Sequence, residues 1–305
     1  MEASFERYSR QMLFKPIGEE GQIKLNSKKV LVVGVGALGT VLANHLVRAG
    51  VGHVRIVDRD YVEKSNLQRQ LLFDEEDVAS ALPKAKAAEI KLKKINSDVI
   101  VEGIVTDVTN ENIDTLLDQI DLVLDGTDNF HTRFLLNDAC YKNNIPFVYG
   151  GAVSSRGMSA LFVPGQTPCL RCFIKEGNSG GQTCDMIGVI SPIVDIIASL
   201  QVVEALKYLV GDVDHFRNTL LSIDVWKHYI YELPLSKADS NCPTCGRHEY
   251  PALENKETND ITTLCGRETV QIHVNESFYL AEWEVRLSKV ATVNKTTFLL
   301  RAQLS

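Results

Sequence analysis

Between Lys28 and Tyr149, short β-branched runs alternate with longer stretches whose apolar residues recur at helical spacing. Lys28 to Val33 reads as a strand that ends in the glycine-rich turn GVGALG, and Ala37 to Ala49 as the helix that follows. His53 to Val57 is a second strand, ending at Asp58, and Leu82 to Asn96 a helix. A strand over Val99 to Val105, a helix over Glu111 to Gln119 and a strand over Leu122 to Asp125 come next. Phe130 to Asn143 reads as a helix and Pro146 to Tyr149 as a strand. Strands and helices taking turns at these lengths predict an α/β fold with a Rossmann-like, doubly wound, mainly parallel sheet. Ahead of it, the first 26 residues carry apolar groups at helical spacing, broken at Pro16 and Gly18, which predicts two short helices.

After Gly151 the pattern changes. Met158 to Val163, Leu220 to Val225 and His228 to Leu233 read as antiparallel strands, with the apolar-rich stretch Val189 to Val210 between them. That stretch contains Asp195, Gln201, Glu204 and Lys207, so it reads as a buried amphipathic helix rather than a membrane span. Residues 177–188 (GNSGGQTCDMIG) have four glycines and no period, and read as a crossover loop. Beyond Cys245 the chain turns polar, then regains a strand at Thr269 to Val274, a helix at Leu280 to Val290 and a strand at Thr296 to Leu304. The expected organisation is a body over residues 1–248 and a small α+β appendage over residues 249–305, which reads as incomplete.

Composition narrows the function classes. The chain is 45% apolar and 23% charged, as ordinary globular proteins are. A net charge of −7 argues against a nucleic-acid partner held by phosphate neutralisation, although ATP needs only a few local cations. Seven cysteines without a secretory signal predict a reducing, cytoplasmic setting, and no membrane partner is expected.

Four of those cysteines form two matched pairs, Cys169/Cys172 (CLRC) and Cys242/Cys245 (CPTC). Each C-x-x-C spans one metal edge, and four thiolates close a tetrahedral structural zinc site with no open position for chemistry. A redox dithiol is the alternative, but it normally opens a helix near a strand and comes singly. Cys140 and Cys265 read as buried small hydrophobes.

The glycine turn supplies a second chemistry. Gly34 permits the tight turn, Gly36 lets a phosphate approach the backbone, and Gly39 allows close helix–strand packing, with the helix N-terminus facing the anion. Asp58 follows at the end of the second strand, where a carboxylate accepts ribose hydroxyls. Alone, this reads as an NAD-dependent oxidoreductase. The next segment breaks that reading. Ser65-Asn66-Leu67-Gln68-Arg69-Gln70 places amide and guanidinium groups just past Asp58, and Pro83-Lys84 heads a helix. Cleaving a triphosphate between its α- and β-phosphates needs cations such as Arg69 and Lys84; ordinary solvated loop residues are the alternative. Asp125 and Asp128 in LVLDGTDN lie at a strand's carboxyl end, where a carboxylate can carry Mg2+. A helix cap at Asp128 is the competing reading.

RYSRQ at Arg7 to Gln11, GVGALG, D-x-D-x-V-x-x-SNLQRQ from Asp58 through Asp60, PK at Pro83, DGTDN at Asp125 and the paired C-x-x-C motifs occur in one order. Together they resemble the ThiF/MoeB/HesA family, bacterial relatives of ubiquitin-activating enzymes, over about residues 5 to 248. The resemblance implies ATP- and Mg2+-dependent adenylation of the C-terminal glycine of a ubiquitin-like sulfur-carrier protein, MoaD-like or ThiS-like. It implies nucleotide contacts from Ala37, Asp58, Asn66, Arg69, Lys84, Asp128 and Asn129, with Mg2+ on Asp128. It also implies a homodimer in which Arg10 acts in the partner's site, and a sulfurtransferase or cysteine desulfurase as a further partner. A non-catalytic scaffold subunit is the remaining alternative, but such subunits typically lose the cationic set that this chain keeps. The family often has glycine where Ala37 stands. Cys184, in the glycine-rich loop, is either a nucleophile toward the activated carrier or an incidental thiol.

Overall fold

The computed structural model of the chain describes residues 3–174, 187–235, 238–254, 261–264, 269–272, 278–296 and 299–304. Among them, strands β1 (Lys29–Val33), β2 (His53–Val57), β3 (Ile100–Ile104), β4 (Leu122–Asp125), β5 (Phe147–Val153), β6 (Arg156–Phe162), β7 (Thr219–Asp224) and β8 (Tyr229–Pro234) form one eight-stranded sheet. Its order is β3-β2-β1-β4-β5-β6-β7-β8. The first five strands are parallel, and β5 to β8 continue antiparallel. The strand order reverses at β1, which lies between β2 and β4, so a crevice opens beyond the carboxyl ends of those strands.

Alternation along β1 builds two cores. Val30 and Val32 face a layer made by α3 (Ala37–Ala49), α5 (Lys84–Ile95) and α8 (Ser191–Val210). Leu31 and Val33 face the opposite layer, where α7 (Phe130–Lys142) packs with the cysteine-bearing segments. At the N-terminus, α1 (Ser9–Met12) and α2 (Gly18–Ser27) are the two expected short helices.

Several expectations need correction. The helix expected over Glu111 to Gln119 shrinks to α6 (Ile113–Leu116), because Gln119 adopts φ +58° and the Asn112 side chain ties back to Thr109 and Asp107. A short helix not anticipated, α4 (Glu75–Ala79), is opened by a reciprocal cap between Asp74 and Asp77. The α8 helix is not amphipathic in the expected sense. Gln201 and Glu204 are buried, whereas Ile196 and Val203 are exposed. Gln201 donates to the Asp125 and Val148 carbonyls, and Glu204 accepts from the Arg217 amide, so these polar groups brace the interior. No helix among the described residues is long and apolar enough to cross a membrane.

Beyond the sheet, α9 (Pro251–Glu254) packs on α7. β9 (Ile261–Leu264), not anticipated, pairs antiparallel with β10 (Thr269–Ile272). α10 (Leu280–Leu287) stops short of Val290, and the strand expected over Thr296 to Leu304 is a hairpin instead. Its strands, β11 (Ala291–Lys295) and β12 (Leu300–Leu304), turn where the Thr296 amide donates to the Leu299 carbonyl.

Candidate functional site

The glycine turn sits in the crevice beyond β1. Gly34 has φ +82°, and a Cβ there would stand 2.8 Å from the Gly126 carbonyl oxygen. A Cβ on Gly39 would lie 1.8 Å from the Gly34 carbonyl oxygen, which presses α3 directly onto the turn. Gly36 is different: a Cβ there would meet only the Gln70 amide nitrogen, at 3.8 Å. That leaves the backbone open above Gly36, just where α3 begins at Ala37 without a side-chain cap. The free amides of that first helical turn make an anion seat.

Charged groups converge beside this seat. Asp58 accepts from the Val35 amide at 2.7 Å and the Asp60 amide at 2.7 Å, which fixes its carboxylate against the turn. Desolvation pushes the Asp58 carboxyl above its ordinary range, against the pull of Lys84. An isolated bridge between Tyr61 and Pro83 brings the head of α5 alongside Asp60. There the Lys84 side chain, 6% exposed, places Nζ 2.9 Å from Asp60. Burial disfavours its charge, yet Asp58, Asp60 and Asp128 together hold it above the usual lysine value, so it is cationic at neutral pH. Arg59, not singled out from sequence, pairs with Asp107 at 2.7 Å and also feels Asp60 and Asp128. Asp58, Asp60, Lys84 and Asp128 are therefore gathered around one end of the crevice.

The SNLQRQ segment closes over it. Asn66 is buried and spends its side-chain oxygen on the Glu63 amide, so it shapes the loop. Leu67 packs against the core, Ser65 is exposed, and Arg69 donates to the Ser65 carbonyl at 3.0 Å. Gln68 donates to the Val189 carbonyl at 3.5 Å. Gln70, 3% exposed, turns its carboxamide toward Gly36, and its Oε1 has no hydrogen-bond partner. It was absent from the expected contacts, although it ends the very motif that pointed to them.

The two aspartates of DGTDN differ. Asp125 is fully buried and already used: Oδ1 accepts from the Thr127 amide and hydroxyl, and Oδ2 from Arg133 at 2.9 Å. Arg133 also donates to the Thr127 and Gly150 carbonyls and lies over the Phe130 and Tyr149 rings. Asp125 is thus a brace and not a metal carrier. The cap of α7 is Asn129, whose side chain accepts from the Thr132 amide at 2.8 Å, which leaves the exposed Asp128 carboxylate facing the cations.

Arg10 does not join this group. Its neighbour Gln11 donates to the Ala49 carbonyl at the far end of α3, and Arg7 donates to the Ile95 carbonyl at the far end of α5. Both helices start at the crevice. The 13 residues of α3 span roughly 20 Å at 1.5 Å each. Cys184 and Cys265 lie outside the described residues, and Cys140 is fully buried as expected.

The four remaining cysteines meet on the opposite face of the sheet. Their sulfurs lie within 4.8 Å of one another, with Cys169 to Cys242 at 3.5 Å and Cys172 to Cys245 at 3.4 Å. A tetrahedral zinc with Zn–S bonds of about 2.3 Å wants sulfurs about 3.8 Å apart. Packed together, the thiols cannot all ionise unaided. Hydrogen bonds with Cys172 and Cys245 push Cys169 up, while hydrogen bonds from Cys169 and Cys245 pull Cys172 down. A divalent cation removes that conflict, so this donor set fits a structural metal.

Comparisons agree with this anatomy. Over 267 residues the chain is 49% identical to the sulfur carrier protein ThiS adenylyltransferase of Bacillus subtilis (strain 168), covering 87% of this chain and 79% of that one. It is 37% identical over 243 residues to the protein of the same description from Escherichia coli (strain K12), covering 79% and 95%. A crystal structure of E. coli MccB with ATP superposes with a TM-score of 0.68, covering 79% of this chain and 75% of that chain; at 24% identity this likeness speaks to the fold alone. The family model described as "ThiF family" matches residues 8–244, a span that holds the glycine turn, the acidic and cationic cluster and all but the last of the four clustered cysteines, and the chain belongs to that family.

Proposed function

We propose that this protein is an ATP-dependent adenylyltransferase that activates the C-terminal glycine of a ubiquitin-like sulfur carrier, and that the carrier is ThiS-like. The observation that carries the reading is Lys84, buried among Asp58, Asp60 and Asp128 beside the open backbone of Gly36. A dinucleotide cofactor has no use for that cation, whereas a triphosphate does. The 49% identity to a ThiS adenylyltransferase favours the ThiS-like carrier over a MoaD-like one.

In this reading the α3 amides and Gly36 seat the phosphates and Asp58 accepts the ribose hydroxyls. Asp128 would hold Mg2+, which would supply charge neutralisation at the phosphates, while Arg69 and Lys84 neutralise the transferring and leaving groups. The carrier carboxylate attacks the α-phosphorus; a C–O–P bond forms, the Pα–O–Pβ bond breaks, and pyrophosphate leaves with the electron pair. The carboxylate is ionised at neutral pH, so no base is needed and positioning does the work. No step uses a thiol, so Cys184 belongs to later sulfur transfer, if a sulfurtransferase or cysteine desulfurase acts next.

Arg10 enters from a second copy of the chain. The far-end anchoring of α1 supports this, as does the exposure of Ile196 and Val203 on a helix whose Gln201 and Glu204 point inward. Zinc in the cysteine cluster and a division into a body over residues 1–248 and an appendage over residues 249–305 complete the reading, with α9 bridging the two. The decisive test is exchange of labelled pyrophosphate into ATP with purified ThiS-like and MoaD-like carriers. Exchange that requires the ThiS-like carrier is expected. Exchange with neither carrier, or reduction of a nicotinamide, overturns the assignment.

A further inference from the structure

A single buried carboxylate ties the two cysteine segments together through hydrogen bonds that do not involve the sulfurs. Phe134, Asn137, Asp138 and Tyr141 share one face of α7, at the spacing of successive helical turns. Asp138 is fully buried. Its Oδ1 accepts from Arg171 Nε at 2.9 Å, Thr244 Oγ1 at 2.6 Å and Asn137 Nδ2 at 3.0 Å. Its Oδ2 accepts from Arg171 Nη2 at 2.9 Å and the Ala252 amide at 2.9 Å. Arg171 is an interior residue of CLRC, and Thr244 is an interior residue of CPTC. Each pair of metal ligands is thus held by its own middle residue to the same carboxylate. The neighbours add to this: Asn137 Oδ1 accepts from the Leu170 amide, the Tyr141 hydroxyl donates to the Pro168 carbonyl, and the Arg171 guanidinium lies over the Phe134 ring.

We infer that Asp138 is the positioning residue that assembles the four-thiol site before metal arrives. The entropic cost of bringing two remote loops together is met by the fold, so the ion enters a formed cradle instead of having to gather its ligands. A buried carboxylate with a bidentate arginine and further donors is a stiff anchor, because each donor it loses leaves part of a desolvated charge unsatisfied. When the metal lets go of one sulfur, the loop carrying it stays in place and the bond re-forms. The inference rests on the reading that this cluster takes zinc.

The test measures metal, not activity. Zinc content of the full chain is determined by elemental mass spectrometry. Zinc release to a chromogenic chelator is then timed for the wild type, Thr244→Val and Asp138→Asn. Thr244→Val keeps the side-chain shape and removes one donor, so it carries the test even where Asp138→Asn fails to fold. Release is expected to quicken roughly 10- to 100-fold, the range by which losing an outer-shell partner weakens metal affinity. The cobalt-substituted variants should keep the thiolate charge-transfer band of four sulfur ligands. Val54→Ala, in the opposite core layer, reports what general destabilisation alone does. A wild type without zinc overturns the metal reading itself. Zinc-bound wild type with unchanged release in the variants overturns only the role of Asp138. So does a Val54→Ala protein of matched thermal midpoint that releases zinc equally fast.

Discussion

At the scale of single residues, the crevice separates side chains that build it from side chains free to act. Asp125 lies in a sequence motif but spends both carboxylate oxygens on Thr127 and Arg133, while Asn66 commits its side-chain oxygen to the Glu63 amide. Asp128 and Gln70 are the opposite case. Asp128→Ala and Arg69→Ala are each expected to lower carrier-dependent pyrophosphate exchange by on the order of 10²-fold or more, with circular dichroism unchanged. Wild-type exchange in either would remove that residue from the site. Gln70 presents an amide to the space above Gly36, and a hydrogen bond to a charged group contributes about 1.5–3 kcal/mol. Gln70→Leu should therefore raise the KM for ATP by roughly 10- to 100-fold without altering the unfolding midpoint. A variant that loses stability and binds ATP normally would make Gln70 a packing residue.

Among elements, the contact that sets the site is α3 against β1. The space for a side chain at Gly39 is occupied by the Gly34 carbonyl, which is backbone and cannot swing away. Gly39→Ala must push the helix off the strand, and overpacking of this kind costs about 1–3 kcal/mol or more. A lower urea midpoint together with weaker ATP binding is the expected result, read by denaturation and calorimetry. An unaltered midpoint would mean that the turn is looser than its geometry. Elements also show where pattern reading succeeds. The α3, β2 and β4 segments were legible to the residue, since each lies in an uninterrupted apolar period bounded by a turn. The α4 cap, the shortened α6 and the hairpin of β11 and β12 were not legible. Their limits are set by individual side-chain caps and turn dihedrals that periodicity does not encode.

For the molecule as a whole, the separation of Arg10 from the crevice is the fact with consequences. Arg10 lies between Arg7 and Gln11, which are anchored at the far ends of α5 and α3, so a helix of roughly 20 Å separates it from the crevice of its own chain. Mixing inactive Arg10→Ala chains with inactive Asp128→Ala chains should restore part of the pyrophosphate exchange, because a hybrid pair contains one site with both residues intact. No recovery after confirmed subunit exchange would mean that each site is complete within one chain, and that Arg10 has another task.

The sequence by itself determined the chemistry on offer and the elements that carry it. The apolar periods define the alternating strands and helices, GVGALG marks a tight strand-to-helix turn, and two C-x-x-C pairs mark a four-cysteine cluster, because each is a local relation among near neighbours. What only the tertiary structure decided is how distant segments meet. The placing of β1 between β2 and β4 brings Asp58, Lys84, Asp128 and Gln70 to one crevice while sending the cysteines to the other face. The burial of Gln201 and Glu204 in α8, the loss of Asp125 to a brace and the five donors gathered by Asp138 follow from packing. A buried polar group takes whichever partner the fold brings within reach, and for Asp138 those partners include Thr244 and Ala252, 106 and 114 residues away along the chain.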